Sequence, residues 1–213
     1  MAVRYYDESA PGKVNLANGI KALHYAIDNG ARIINYSGGG PEYSEEEFQA
    51  MKKAEQKGVL IVAAAGNDHH DTDIAINHYY PAAYKLKGLK NLITVASIDR
   101  ENKLLPSSNW GLKTVDVAAP GEGILSTIPG GMHGKLTGTS QATAFVSGIA
   151  ALILAKQPAL TPEQVRQVII SSTDRENPLK GKLSSGGKVN AHKALLAVAA
   201  YNEGSRKMAS QKK

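Results

Sequence analysis

The sequence predicts an α/β fold, with a mostly parallel sheet that carries helices on both faces. Short apolar runs alternate along the chain with amphipathic segments of helical period. The run at residues 59–65 is apolar without interruption, which suits a strand buried on both faces of a parallel sheet. The segment 142–156 is apolar on most sides, as expected of a helix packed into the core.

The individual elements follow from periodicity and from the residues that end each run. Strands are predicted at residues 2–5, 32–36, 59–65 and 92–96, with a less regular extended piece at 114–121. Helices are predicted from about Asn15 to Gly30, from Ser44 to Gly58, from Ala142 to about Lys156, from Thr161, and from near Asn190. Ser44 with Glu47, and Thr161 with Gln164, have the spacing of a capping box.

Length and composition favour one globular unit. The chain has 213 residues, of which 42% are hydrophobic and 21% charged, enough for a substantial core. We find no internal repeat or linker, so residues 1–201 are interpreted as one domain, a partial one as argued below, and residues 202–213 as a polar basic tail.

Several function classes are disfavoured by the same composition. The chain has no cysteine, which excludes disulfides, thiolate metal sites and thiol catalysis. The net charge of +6 is scattered and has no accompanying aromatic ladder, so we do not expect nucleic-acid binding. No run of about 18 apolar residues predicts a membrane span, and the first residues do not resemble a signal peptide.

Three breaks rich in small residues follow predicted strands or precede a helix: Ser37–Gly39, Ala65–Asn67 and Gly138–Ser140. In open parallel sheets, ligands bind outside the carboxyl ends of the strands, so these breaks are expected to converge on a site. Glycine at a strand end also lets an extended peptide approach. Ser140 would lie where free helix N–H groups stabilise an oxyanion. Singly, Ser140 also suits a helix cap and Asn67 a turn residue.

In combination, these segments resemble the motifs of subtilisin-like serine peptidases (the subtilase family). The matching motifs are Gly138-Thr139-Ser140-Gln141-Ala142-Thr143 with Val146 and Gly148, Val62-Ala63-Ala64-Ala65-Gly66-Asn67, and Ile33-Ile34-Asn35-Tyr36-Ser37-Gly38-Gly39. Further segments, Tyr80–Ala82, Ile93–Ser97, Val117–Gly121 and Gly187–Ala191, also fall in the family's order. The resemblance therefore covers nearly the whole chain.

The resemblance implies a role for each matching residue. Ser140 is the expected nucleophile, and Asn67 the expected side-chain donor to the oxyanion. The expected substrate-binding residues are Ser37, Gly38 and Gly39 on one wall, and Ala64, Ala65 and Gly66 on the facing wall. Peptides or proteins are the expected substrates. The resemblance identifies no metal ligand in this chain, although relatives often bind calcium, so calcium stays open as a cofactor. Relatives are usually exported, which implies a secreted or periplasmic parent protein.

The sequence departs from the family pattern before its first predicted strand. No Asp-Ser/Thr-Gly segment and no His-Gly-x-His segment precede Val3, so this sequence does not include the family's catalytic Asp and His. A serine without its base is a weak nucleophile, and we expect the isolated chain to be inactive. The fold should also lack its N-terminal strands. Since unpaired strand edges invite another chain, a separate N-terminal segment carrying the Asp and His is the expected partner.

Three alternatives stay open at this point. The internal histidines His24, His133 and His192 could in principle replace the base. The cluster Asp68–Asp73 with His78 could hold a metal, although neither idea fits the family's order. A catalytically dead, peptide-binding pseudoenzyme would keep the groove without the chemistry. An acyl hydrolase of another α/β fold is the weakest candidate because the sequence has no G-x-S-x-G elbow.

Overall fold

The computed structural model describes residues 1–199 and has a six-stranded sheet in the order β1-β2-β3-β4-β8-β7. Neighbouring strands from β1 to β4, and β4 with β8, run parallel, whereas β7 pairs antiparallel with β8. A separate antiparallel hairpin consists of β5 and β6. The strands are β1 Ile33–Tyr36, β2 Leu60–Ala64, β3 Leu92–Ile98, β4 Val117–Pro120, β5 Ile124–Ile128, β6 Met132–Leu136, β7 Asp174–Arg175 and β8 Gly187–Lys188.

Helices cover both faces of this sheet, which confirms the predicted fold class. They are α1 Gly12–Asp28, α2 Glu45–Gln56, α3 Thr139–Lys156 and α4 Pro162–Ser171, and residues 191–199 are also helical. Three short 3-10 helices occupy Ala75–Asn77, Ala82–Lys87 and Asn177–Leu179. One core lies between the sheet and α3 and α4, and a second lies between the sheet and α1 and α2.

Strand β2 shows why its sequence is uniformly apolar. Leu60 and Val62 belong to the core shared with α3 and α4, whereas Ile61 and Ala63 belong to the core shared with α1 and α2. Successive side chains of a strand point to opposite faces, so a strand covered on both faces needs apolar residues throughout. All residues of β2 and of β3 are buried.

Helix α3 is long and apolar enough to meet the length and composition criteria for a membrane span, which the sequence analysis did not anticipate. A core helix meets the same criteria, and 44% of α3 is buried in this structure. The helix packs against β1, β2, β3 and β4. Its position is therefore that of the central helix of an α/β domain.

Two local predictions are wrong. Residues 2–5 form no strand, because no other strand of the described chain lies beside them to complete a ladder. At α2, Ser44 caps the helix by accepting a bond from the Glu47 N–H at 3.2 Å, but the Glu47 carboxylate does not return the bond. It turns inward to Tyr36 and Tyr84 instead. The capping box at Thr161 and Gln164 is confirmed.

The hairpin of β5 and β6 was missed by the sequence analysis. Its strands pair from Ile124 with Leu136 to Ile128 with Met132, so a three-residue loop joins them. That loop contains Gly130 and Gly131, a signal that favours a hairpin turn. The predicted basic tail at residues 202–213 lies outside the described residues.

Candidate active site

Ser140 lies in the first turn of α3, where it contacts the end of strand β1. Its hydroxyl Oγ donates a hydrogen bond to the carbonyl oxygen of Ser37 at 3.0 Å. In return, the Ser37 hydroxyl donates to the carbonyl oxygen of Ser140 at 3.2 Å. These reciprocal bonds hold the glycine-rich segment after β1 against the helix start.

Asn67 reaches the same helix start from the loop that follows β2. Its side-chain oxygen Oδ1 accepts hydrogen bonds from the backbone N–H of Thr139 at 2.9 Å and from the Thr139 hydroxyl at 3.2 Å. Within residues 1–199, its Nδ2 amide makes no hydrogen bond. That N–H₂ group therefore stays available to donate to a ligand, one residue away from Ser140.

The close approach of Asn67 depends on Gly138, which precedes the helix. Gly138 has a φ of +148°, and a Cβ there would lie 3.2 Å from Asn67 Oδ1 and 3.4 Å from Gln141 Oε1. Its N–H donates to the carbonyl oxygen of Gly121 at 2.8 Å, which fixes the turn. A larger residue at position 138 would press on the Asn67 amide.

Asn109 positions the Asn67 loop, a role that the sequence analysis missed. This side chain is 1% exposed. Its Oδ1 accepts hydrogen bonds from the backbone N–H groups of Asp68 and His70, each at 3.0 Å, and its Nδ2 donates to the carbonyl oxygen of Ala65 at 2.9 Å. A single buried amide therefore bonds the backbone on both sides of Gly66-Asn67. No local pattern marks Asn109, since its partners lie 39 to 44 residues away.

The two predicted substrate walls extend from neighbouring strands. Ser37–Gly39 follows β1 and Ala64–Gly66 lies at the end of β2, and the two strands pair in parallel as far as Tyr36 with Ala63. The ring of Tyr79 lies close to both Gly39 and Gly66, at distances that leave no room for a Cβ on Gly39. Burial, followed by the charge of Asp68, raises the pKa of Tyr79 to about 12. Tyr79 thus forms a neutral floor between the walls, another role that sequence reasoning missed.

The histidines and acids proposed as alternatives lie elsewhere or have structural roles. Within residues 1–199, no histidine hydrogen bonds to Ser140. The Asp73 carboxylate accepts bonds from the backbone N–H groups of Lys113 and Thr114 and from the Thr114 hydroxyl. No three His, Cys, Asp or Glu side chains among the described residues come together as a metal site. The Asp68–Asp73 segment is therefore occupied in holding its own loop.

Comparison with known proteins identifies the family. The sequence model of the subtilase family matches residues 1–208. The chain belongs to this family. Thermitase of Thermoactinomyces vulgaris is 37% identical over 196 residues, which cover 92% of this chain and 64% of thermitase. Subtilisin J of Geobacillus stearothermophilus is 38% identical over 172 residues, which cover 80% of this chain and 42% of that protein.

Solved structures give the same result. The prenylagaramide maturation protease PagA superposes with a TM-score of 0.75 at 30% identity, covering 92% of this chain and 71% of PagA. The self-cleaved protease domain of PatA superposes with a TM-score of 0.73 at 33% identity, covering 86% of this chain and 68% of that domain. This subtilase chain thus spans 42 to 64% of the two curated relatives named above.

Proposed function

We propose that this subtilase chain supplies the nucleophile, the oxyanion donors and the substrate strand of a serine endopeptidase. The observation that carries the proposal is the meeting of Asn67 with the first turn of α3, one residue from Ser140. A carbonyl placed at this point would be attacked by the Ser140 hydroxyl. The resulting oxyanion would accept hydrogen bonds from the Asn67 Nδ2 amide and from the Ser140 backbone N–H.

The Ser37–Gly39 segment supports the binding part of the proposal. It continues from the free edge of β1 and reaches Ser140 through the Ser37 carbonyl. A peptide extended along this segment would pair with its backbone, as an added strand does at a sheet edge. The scissile carbonyl would then lie beside the Ser140 hydroxyl.

The base for Ser140 would come from a polypeptide segment outside this sequence. Strand β1 has a hydrogen-bonded neighbour on one side only, within the described residues. Beside it, a cavity of about 430 Å³ separates β1 from residues 1–5 and is bounded below by α1. An extended strand placed there would pair with β1 and end close to Ser140, from where a further segment could reach the hydroxyl. We propose that this partner carries the catalytic Asp and His.

On this proposal the isolated chain hydrolyses peptides negligibly, because a serine hydroxyl needs a neighbouring base to become a strong nucleophile. Ser140 in this structure donates its proton to a backbone carbonyl, which cannot act as a base. The second candidate function is peptide binding without catalysis. The same bond favours it, since the groove is formed while the hydroxyl has no base. A calcium ion, if one contributes to stability, would be a feature of the completed protein.

Labelling with a fluorophosphonate separates the two functions. The chain would be mixed with an N-terminal fragment that carries the family's Asp and His segments, and adducts would be located by mass spectrometry. We expect labelling of Ser140 in the mixture, none in the chain alone, and none in a Ser140→Ala mixture. Ser147→Ala is a matched control in the same helix and should label normally. Equal labelling with and without the fragment would overturn the role proposed for the partner, and no labelling in the mixture would favour the binding protein.

A further inference from the structure

Glu47 is a buried carboxylate with no cationic partner. Its side chain lies on α2, and the residue is 2% exposed. One carboxylate oxygen accepts a hydrogen bond from the Tyr36 hydroxyl at 2.5 Å, and the other is 2.9 Å from the Tyr84 hydroxyl. No lysine, arginine or histidine among residues 1–199 forms an ion pair with it, although buried charges are usually paired.

The tyrosine hydroxyls satisfy this carboxylate incompletely. The Tyr84 hydroxyl has one hydrogen, yet it lies 2.9 Å from both Glu47 and the carbonyl oxygen of Ser44. When Tyr84 donates to Ser44, the carboxylate keeps one donor only. Burial raises the pKa of Glu47, while the bonds from the two tyrosines act in the opposite direction. A cation beside the carboxylate would remove the cost of its charge.

A cavity connects Glu47 with the proposed substrate strand. This space of about 800 Å³ is bordered by Ser37–Pro41, by the start of α1 and by Glu47 itself. Gly38 leaves its wall open, because a Cβ there would lie 2.4 Å from the Tyr5 hydroxyl. Glu42 adds a second acid at the cavity, whereas Lys13, which also lines it, is exposed and makes no ion pair with Glu47 among the described residues.

We propose that Glu47 selects a lysine or arginine side chain at one position of the peptide that binds along Ser37–Gly39. This inference rests on the peptide binding proposed above. A peptide extended along the strand directs alternate side chains to one side, and the cavity accommodates a long side chain next to Gly38. Its ammonium or guanidinium group would pair with the carboxylate between Tyr36 and Tyr84, and Tyr36 would keep its hydrogen bond.

Binding of a peptide series tests the inference without any turnover. Fluorescein-labelled hexa-alanine peptides would carry a single lysine at each position in turn, with norleucine as the uncharged match and glutamate as the opposite charge. Fluorescence anisotropy would be measured with the Ser140→Ala chain. We expect lysine to bind about tenfold more tightly than norleucine at one position, the size of effect typical of a partly buried charge pair. Glutamate should bind most weakly at that position.

A matched pair of variants assigns the preference to Glu47. Glu47→Gln should equalise lysine and norleucine, whereas Glu46→Gln, an exposed neighbour on the same helix, should keep the difference. The wild-type series decides the inference even if Glu47→Gln fails to fold. Equal binding of lysine and norleucine at every position would overturn the role of Glu47 and leave peptide binding intact. Failure of every peptide to bind would overturn the proposed function and this inference together.

Discussion

Two carboxylates are buried within residues 1–199, and their surroundings are opposite. Asp116 is 0% exposed and has two cationic partners, since one carboxylate oxygen lies 2.6 Å from Lys85 and 2.6 Å from Arg166. Its other oxygen accepts the Thr94 N–H at 2.9 Å. Glu47 is 2% exposed and has only tyrosine hydroxyls.

The difference follows the state of the sheet around each carboxylate. Asp116 lies between β3, β4 and the segment before β8, where every strand has its neighbours. Glu47 lies near β1, which is paired on one side and only partly buried. Charge is therefore compensated where the sheet is complete and left uncompensated where cavities remain. This contrast indicates that the β1 side of the molecule is built to receive further polypeptide.

The largest effect is expected from breaking the compensated carboxylate. Asp116→Asn leaves the buried Lys85 and the partly buried Arg166 without their counter-charge, which costs about 3 kcal/mol of unfolding free energy. For a chain of this size, the melting temperature should fall by roughly 6–12 °C, measured by calorimetry. Asp28→Asn is the matched control, because the Asp28–Lys53 pair is exposed and should change little. Equal melting of both variants would remove the contrast.

A smaller loss of stability is expected at Asn109, which lies on the complete side but controls the Asn67 loop. Asn109→Ala leaves the N–H groups of Asp68 and His70 without their acceptor and should cost about 2 kcal/mol. In the chain mixed with its N-terminal fragment, fluorophosphonate labelling of Ser140 should also slow, because Asn67 loses its support. Asn102→Ala, at a surface site, serves as control. Normal labelling rates in Asn109→Ala would contradict the positioning role.

The smallest effect is a pH dependence at Glu47. Burial raises its folded-state pKa above the ordinary value of 4.5, so the folded chain holds this proton to higher pH than the unfolded chain. The contribution of Glu47 to stability is therefore complete below pH 4.5 and declines as pH rises toward the folded-state pKa. We expect the melting temperature of wild type, relative to Glu47→Gln, to fall from pH 4 to pH 7. A difference that grows with pH would show the charged form to be favoured by folding.

The sequence predicted the elements whose signals are local. The unbroken apolar run of β2 and the apolar helix α3 were recognised because burial on most sides leaves a compositional record. The Thr161 capping box was recognised for a similar reason, since both partners lie in one turn. The meeting of the three small-residue loops was also expected, because the ends of parallel strands share one edge of a sheet.

Features that depend on distant partners were missed or wrong. The Glu47 carboxylate was predicted to cap α2, but Tyr36 and Tyr84, 11 and 37 residues away, take it into the interior. Asn109 reaches Ala65 across 44 residues, so no motif marks it. The strand predicted at residues 2–5 is extended but unpaired, because a strand requires a neighbour as well as a suitable composition.

Amide hydrogen exchange on β1 tests the central claim most directly, which is that this strand lacks an outer neighbour that another polypeptide segment supplies. Leu60 N–H donates to Arg32 O, so the alternation of a parallel ladder turns the N–H groups of Ile33 and Asn35 toward the open edge. We predict that the N-terminal fragment slows exchange of these two amides by about tenfold or more, with β2 and β3 unchanged. Unaltered exchange at Ile33 and Asn35 in a mixture that labels at Ser140 would contradict the claim.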